Sequence, residues 1–324
     1  MLIINNIICN MKKFKSLEIC AGAGGQAIGL ENAGFDHLAL VEIEPLACAT
    51  LRTNKPEWNV IQGDLRHFDA TIYNGQVDLL AGGVPCPPFS IAGKQLGQFD
   101  DRDLFPEAIR IIKECNPKAV LLENVRGLLD SKFEDYRQEI IKELEELGYK
   151  TDWQLLNASD FGVSQLRPRA ILIALKEEYF DFFKWPNKFK RKPKSIGDLL
   201  YEEMAKLGWE GVNEWKKKAN KIAPTLVGGS KKHGGADLGP TRAREAWSKL
   251  GINGGGLADS PPINGFEGNP KLTLQMTALV QGFSKEWKFA GKKTPAYRQV
   301  GNAFPPPVAK AVGKSIAKAL NYGK

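Results

Sequence analysis

A chain of 324 residues is too long for one small core and suits a large α/β domain carrying a lesser one. Its five cysteines (9, 20, 48, 86 and 115) are odd in number without paired spacing, and three histidines are few, so neither a disulfide framework nor a metal site is expected, and a reducing cytoplasm is. The net charge of +8 is local: residues 184–232 hold 13 Lys or Arg against 5 Asp or Glu, which leaves the remainder balanced.

Residues 1–10 are apolar, but too few to span a bilayer and without the charged-then-apolar order of a signal peptide. With Met11 directly before the first strand, they read as a dispensable extension. No later stretch approaches the ~18 apolar residues of a membrane span, so a soluble protein with no membrane partner is expected.

Short β-branched runs then alternate with amphipathic stretches. The pattern predicts strands over 14–20, 37–43, 59–61, 77–80, 119–122, 151–157 and 170–175, and helices over 26–33, 45–53, 104–114 and 133–147. Repeated βα units of this kind give a doubly wound, mostly parallel sheet with ligand sites at the strands' carboxyl ends. From about 186 to 270 the pattern dissolves into glycine pairs, lysine runs and turns, which reads as a separate loop-rich module. Trp185, Phe189, Trp209 and Trp215 are interleaved with its basic residues, a combination that favours a polyanion partner over a merely solvated surface. Helical periodicity returns over 272–282 and 306–320, where the chain re-enters the first domain.

The residues that carry chemistry fall at the predicted strand ends. Leu-Glu-Ile-Cys-Ala-Gly-Ala-Gly-Gly over 17–25 is a strand running into a glycine turn and a helix start, and Gly22, Gly24 and Gly25 allow close backbone approach to a ligand. Glu42, twenty residues after Gly22, stands where a carboxylate accepts both ribose hydroxyls, and Asp64 could accept from an adenine amine. Together these three features indicate a nucleoside cofactor. Cys86 lies in Val-Pro-Cys-Pro-Pro, where a strand stops at glycines and delivers one thiol into a proline-braced loop. Glu123 ends the fifth strand, and the alternation of Arg167 with Arg169 sends both side chains to one face.

The glycine loop, Pro85-Cys86, Glu123-Asn124-Val125, Gln165 with Arg167 and Arg169, and Gln299-Val-Gly-Asn-Ala occur in the order and spacing of the DNA cytosine-5 methyltransferases, which this chain resembles over about 14–185 and 271–320. The resemblance is to the bacterial restriction-modification type, acting in the cytoplasm or nucleoid. It implies a Rossmann-like class I methyltransferase fold with a small target-recognition domain: a catalytic domain of 1–185 and 271–324, and recognition by 186–270. It also implies S-adenosyl-L-methionine as cofactor, double-stranded DNA as partner, a monomer, a cognate restriction endonuclease acting separately, and no metal.

By the same resemblance Cys86 is the nucleophile that adds to carbon 6 of a flipped-out cytosine. Glu123 serves ring nitrogen 3, Asn124 holds this loop, Arg169 binds the 2-carbonyl oxygen, and Arg167 supports the adduct or a phosphate. The cofactor is expected against Glu18, Cys20, Gly22, Gly24, Gly25, Glu42, Ile43, Asp64, Leu65, Pro85, Leu104, Asn302 and Ala303. The loop from 90 to 102, with Ser90, Lys94 and Arg102, looks like the family's lid over DNA. Gln165, Lys231, Lys232, Arg242 and Arg244 are expected to reach DNA. Pro87 departs from the family's frequent Gln and Ser164 from a frequent Pro, while Cys20 and Ile43 stand where aromatics often contact the cofactor.

Two other functions are compatible with such motifs. An RNA cytosine-5 methyltransferase of the branch acting on transfer RNA carries a Cys-Phe-Thr signature in its recognition region, whereas this chain has no cysteine after Cys115. A catalytically silent DNA-binding regulator has no reason to keep Cys86, Glu123, Arg167 and Arg169 together.

Overall fold

The computed structural model describes residues 14–85, 103–229 and 235–323. Seven strands form one sheet: β1 (Phe14–Ile19), β2 (Phe35–Glu42), β3 (Val60–Gln62), β4 (Leu79–Gly82), β5 (Ala119–Val125), β6 (Tyr149–Asn157) and β7 (Pro168–Lys176). Their order is β3-β2-β1-β4-β5-β7-β6. The pairs among β1 to β5 are parallel, and β7 runs antiparallel to both β5 and β6. The strand order reverses between β1 and β4, which is where a doubly wound sheet opens a crevice at its carboxyl ends.

Continuous apolar runs make the central strands, because both faces of a parallel sheet are covered. Leu17, Leu80, Val120 and Leu122 face one core with Phe105 and Ile112 of the helix Phe105–Cys115 and Ile140 and Leu144 of the helix Glu134–Glu146. Leu79, Ala81, Ala119 and Leu121 face the other, with Leu30 of α1 (Gly25–Glu31) and Val308, Val312 and Ile316 of the last helix, Pro306–Tyr322. The last helix thus packs against the sheet. Among the described residues no helix is long and apolar enough to cross a membrane, and no three His, Cys, Asp or Glu side chains are grouped to hold a metal ion.

The segment 186–270 contains more helix than its composition indicated: Ile196–Ala205, Val212–Lys218 and Thr241–Ser248. Ser195 caps the first of these by accepting from the amide of Asp198, and three lysines end the second, opposite the partial negative charge of its last carbonyls. A helix at Lys293–Asn302, also unannounced by the pattern, precedes the last one. The expectation for the tryptophans is corrected here. Trp209 and Trp215 are buried, at 6% and 5% exposure, in a cluster with Trp247 and with Ala27, Leu51 and Trp58 from the first 60 residues. Large rings bury more apolar area than any other side chain, so a core claims them before a ligand can. Phe189 remains exposed, and the Trp185 indole donates to Asp152.

Candidate active site

The glycine turn after β1 is drawn tight by left-handed backbone at Cys20 (φ 51°), Gly22 (φ 55°) and Gly24 (φ 85°). A non-glycine residue at such a φ is strained, and the surrounding turn must hold it there. The Ala21 amide bonds back to Val41 and the Gly24 amide to Ala21. Gly25 admits no side chain, because a Cβ there would lie 2.2 Å from the Phe304 carbonyl oxygen. The turn is tied to the neighbouring strand end through Glu42. One carboxylate oxygen accepts from the Gly22 amide at 2.7 Å and the other from the Glu44 amide at 2.8 Å. Burial raises the pKa of Glu42, while these two amides oppose the shift. Asp64 caps a short turn after β3 and is paired with Arg66 at 2.8 Å, which lowers its pKa and keeps it an acceptor.

Across the switch point, the end of β4 leads through Gly83 and Val84 to Pro85. The Asn124 side chain donates to the Val84 carbonyl at 2.8 Å, and the Leu104 amide donates to that of Pro85 at 3.2 Å. Both flanks of the segment that begins at Cys86 are therefore fastened. Glu123 sits beside this point: Oε1 contacts Arg169 Nε at 2.6 Å, and a Cβ added at Gly83 would lie 3.3 Å from Oε2. The antiparallel register explains the pair. Glu123 lies opposite Ile171 and Val125 opposite Arg169, which makes Glu123 and Arg169 diagonal neighbours on one face.

These groups line one cavity of about 970 Å3 at the carboxyl ends of β1, β2, β4 and β5. Of the residues expected to meet a cofactor, Cys20, Gly22, Gly25, Glu42, Ile43, Asp64, Leu65, Pro85, Leu104, Asn302 and Ala303 all lie on its wall. Glu123, Asn124 and Arg169 lie there too. Glu18 and Gly24 do not. Glu18 is fully buried beneath the turn, and burial pushes its pKa well above the ordinary range, against the opposing effect of the Ala27 amide. Gly24 closes against Leu51 and Trp287.

Arg167 and Gln165 are corrected more sharply, since both are fully enclosed. The Arg167 guanidinium donates to the carbonyls of Leu226 at 2.9 Å, Gly301 at 2.7 Å and Ala303 at 3.1 Å, so it faces neither a base nor a phosphate. Burial pushes its pKa well below the guanidinium's usual value, and the charge of Arg169 adds to this. Gln165 is bonded to Val280 and Gln281. Arg242 and Arg244 are exposed. Cys86, Ser90, Lys94, Arg102, Lys231 and Lys232, like the extension 1–10 and the expected lid, lie outside the described residues.

The cavity wall also includes Gln26, Asp130, Lys132, Arg298 and Gln299, which sequence reasoning did not single out as cofactor residues. Gln299 opens the motif noted near the chain end, and one helical turn carries Arg298 and Asn302 to the same face. That signal was available. Asp130 joins two short 3₁₀ turns after β5, and Lys132 lies in the second; no periodicity marks them.

The family model described as C-5 cytosine-specific DNA methylase matches residues 14–318. The chain is 57% identical over 311 residues to the type II methyltransferase M.NgoMIV of Neisseria gonorrhoeae, covering 95% of this chain and 98% of that protein. It is 54% identical to M.NaeI of Lentzea aerocolonigenes, covering 96% and 76%. In fold it is similar to a prophage-encoded E. coli protein solved as a candidate DNA modification methyltransferase, with a TM-score of 0.67, 22% identity and coverage of 95% and 100%.

Proposed function

Because this chain belongs to the C-5 cytosine-specific DNA methylase family, we propose that its cavity methylates carbon 5 of a cytosine flipped out of duplex DNA, with Cys86 as the nucleophile. It is a DNA cytosine-5 methyltransferase of the bacterial restriction-modification type. One observation carries the mechanistic reading: the Glu123–Arg169 pair and the fastened flanks of the Cys86 loop share a cavity with Glu42 and Asp64. Base chemistry and a nucleoside cofactor thereby meet in one space.

The wall fits S-adenosyl-L-methionine. Glu42 uses one lone pair of each oxygen on a backbone amide, and the remaining ones suit a ribose diol. Ile43, half exposed on the wall, offers an apolar face to adenine. When bound, the cofactor supplies a methyl group on a positively charged sulfur, the electrophile that an activated carbon 5 requires.

Carbon 5 of cytosine is a weak nucleophile until a thiolate adds to carbon 6 and breaks the ring's aromaticity. Cys86 forms that bond. Glu123 hydrogen-bonds ring nitrogen 3, where the displaced electron density collects, and Arg169 holds the 2-carbonyl oxygen. Asn124 keeps the loop in register through Val84. After carbon 5 is methylated, a base removes its proton and the electron pair re-forms the ring double bond as the Cys86 sulfur leaves. The segment 186–270, with exposed Arg242 and Arg244 and its basic excess, reads the DNA sequence. We take the protein to act as a monomer, beside a separate restriction endonuclease.

Bisulfite sequencing of a plasmid from an expressing host tests this reading and reveals the target. Converted cytosines throughout, or methylation of transfer RNA in place of duplex DNA by the purified protein, would overturn it. Exchanging 186–270 for the equivalent segment of a relative is expected to move the target sequence. A graft that still modifies the original site would place recognition elsewhere.

A further inference from the structure

Three fully buried polar side chains, Gln165, Arg167 and Gln281, join parts of the chain that the proposed reaction uses separately. Gln165 Nε2 donates to Gln281 Oε1 at 2.8 Å, and its own oxygen accepts from the Leu226 amide at 2.9 Å. Gln281 Nε2 donates to the Ala303 carbonyl at 2.5 Å, which Arg167 also reaches. Arg167 further holds the carbonyls of Leu226 and Gly301. A buried charge is costly unless it is compensated. Among the described residues no carboxylate pairs with Arg167. Its compensation is the carbonyl dipoles at the carboxyl end of the helix Lys293–Asn302, together with that of Leu226.

The segments so joined touch directly. A Cβ at Gly301 would lie 2.5 Å from the Cα and amide of Gly228, and the Asn302 side chain reaches the Gly229 carbonyl. Asn302, Ala303 and Gly229 line the cofactor cavity. Residues 223–229 belong to the proposed DNA-reading segment, and Arg169, two positions beyond Arg167, holds Glu123. A shift of 226–229 would therefore disturb the hydrogen bond to Arg167 or the contacts with 301–302.

We propose that Arg167, with Gln165 and Gln281, is a positioning bracket that couples DNA engagement by residues 223–229 to the shape of the cofactor cavity at 301–303. The inference rests on the function proposed above. Coupling of this kind is reciprocal: DNA tightens cofactor binding by the factor with which cofactor tightens DNA binding.

The test uses S-adenosylhomocysteine as the probe, titrated calorimetrically into the full chain with and without saturating duplex that carries the mapped target. The parent is expected to bind it more tightly with duplex, by about fivefold or more. In Arg167→Lys, which loses the planar fork, the ratio of the two affinities falls towards one. Gln281→Met, a neutral exchange of similar volume, should lower it as well. A merely structural role would lower the folded fraction mainly in the arm without duplex, because duplex binding refolds the chain, and so would raise this ratio instead of lowering it. In the parent, hydrogen exchange at 299–303 should slow when duplex is added without cofactor. A parent ratio of one, folded variants that keep the parent ratio, or exchange at 299–303 that ignores duplex would each overturn the bracket. Failure of the parent to bind the probe or to methylate DNA would instead overturn the function on which it rests.

Discussion

Replacing Glu123 with Gln removes one charge from the cavity and leaves its shape almost unchanged. In the folded protein Oε1 lies 2.6 Å from Arg169 Nε, with the two side chains only 10% and 13% exposed. The amide oxygen of Gln can still accept there, so what is lost is the charge assistance of one hydrogen bond, about 1 kcal/mol. For a chain of this size that is a fall of about 2 °C in melting temperature. Catalysis should suffer far more, because a carboxylate can take up a proton and share it with ring nitrogen 3, whereas an amide cannot. Loss of a positioned acid lowers the rate by about a hundredfold or more, which is about 2.7 kcal/mol of barrier. The assay is single-turnover transfer of labelled methyl to plasmid DNA containing the target, run beside thermal unfolding of the same samples. A rate within tenfold of the parent would mean that another group serves the ring nitrogen. A stability loss above about 4 kcal/mol, with the rate per folded molecule retained, would make the pair a structural ion pair.

Cys86→Ser is expected to abolish methyl transfer while S-adenosylhomocysteine still binds by calorimetry; turnover within tenfold of the parent would remove Cys86 from the reaction. Glu18 has a folded pKa well above 4.5, so the folded chain holds a proton that the unfolded chain releases, and stability from this group falls as pH rises from about 4.5 towards the folded value. Glu18→Gln should therefore stabilise the protein at pH 8 by about 1–3 kcal/mol and confer little at pH 4. An equal gap between variant and parent at both pH values, measured by urea unfolding, would contradict this. Gly25→Ala drives a Cβ against the Phe304 carbonyl, a backbone atom that cannot swing aside, and should cost about 2 kcal/mol or more with weakened cofactor binding; an unshifted urea midpoint would show that the turn yields.

What the sequence determined by itself is whatever depends on neighbours in the chain. Alternating β and α periodicity gave the doubly wound sheet, since each period reports which faces of a local element are buried. Glycines 22 and 25, Glu42 and Asp64 were legible because a strand end, its turn and the next strand end lie at short, regular separations, and all four meet in the cavity. The fate of Arg167 and of the tryptophans was not legible. Alternation assigns Arg167 and Arg169 to one face, but it does not say how deep each sits. Arg169 meets Glu123 because of the antiparallel register with β5, while Arg167 is closed over by Gly301 and Ala303, more than 130 residues away. Trp209 and Trp215 carry the composition of a stacking surface, yet a core assembled from both halves of the chain buries them. Long-range contacts decide such cases because burial depth depends on which distant element covers a residue, and only the folded chain brings that element there.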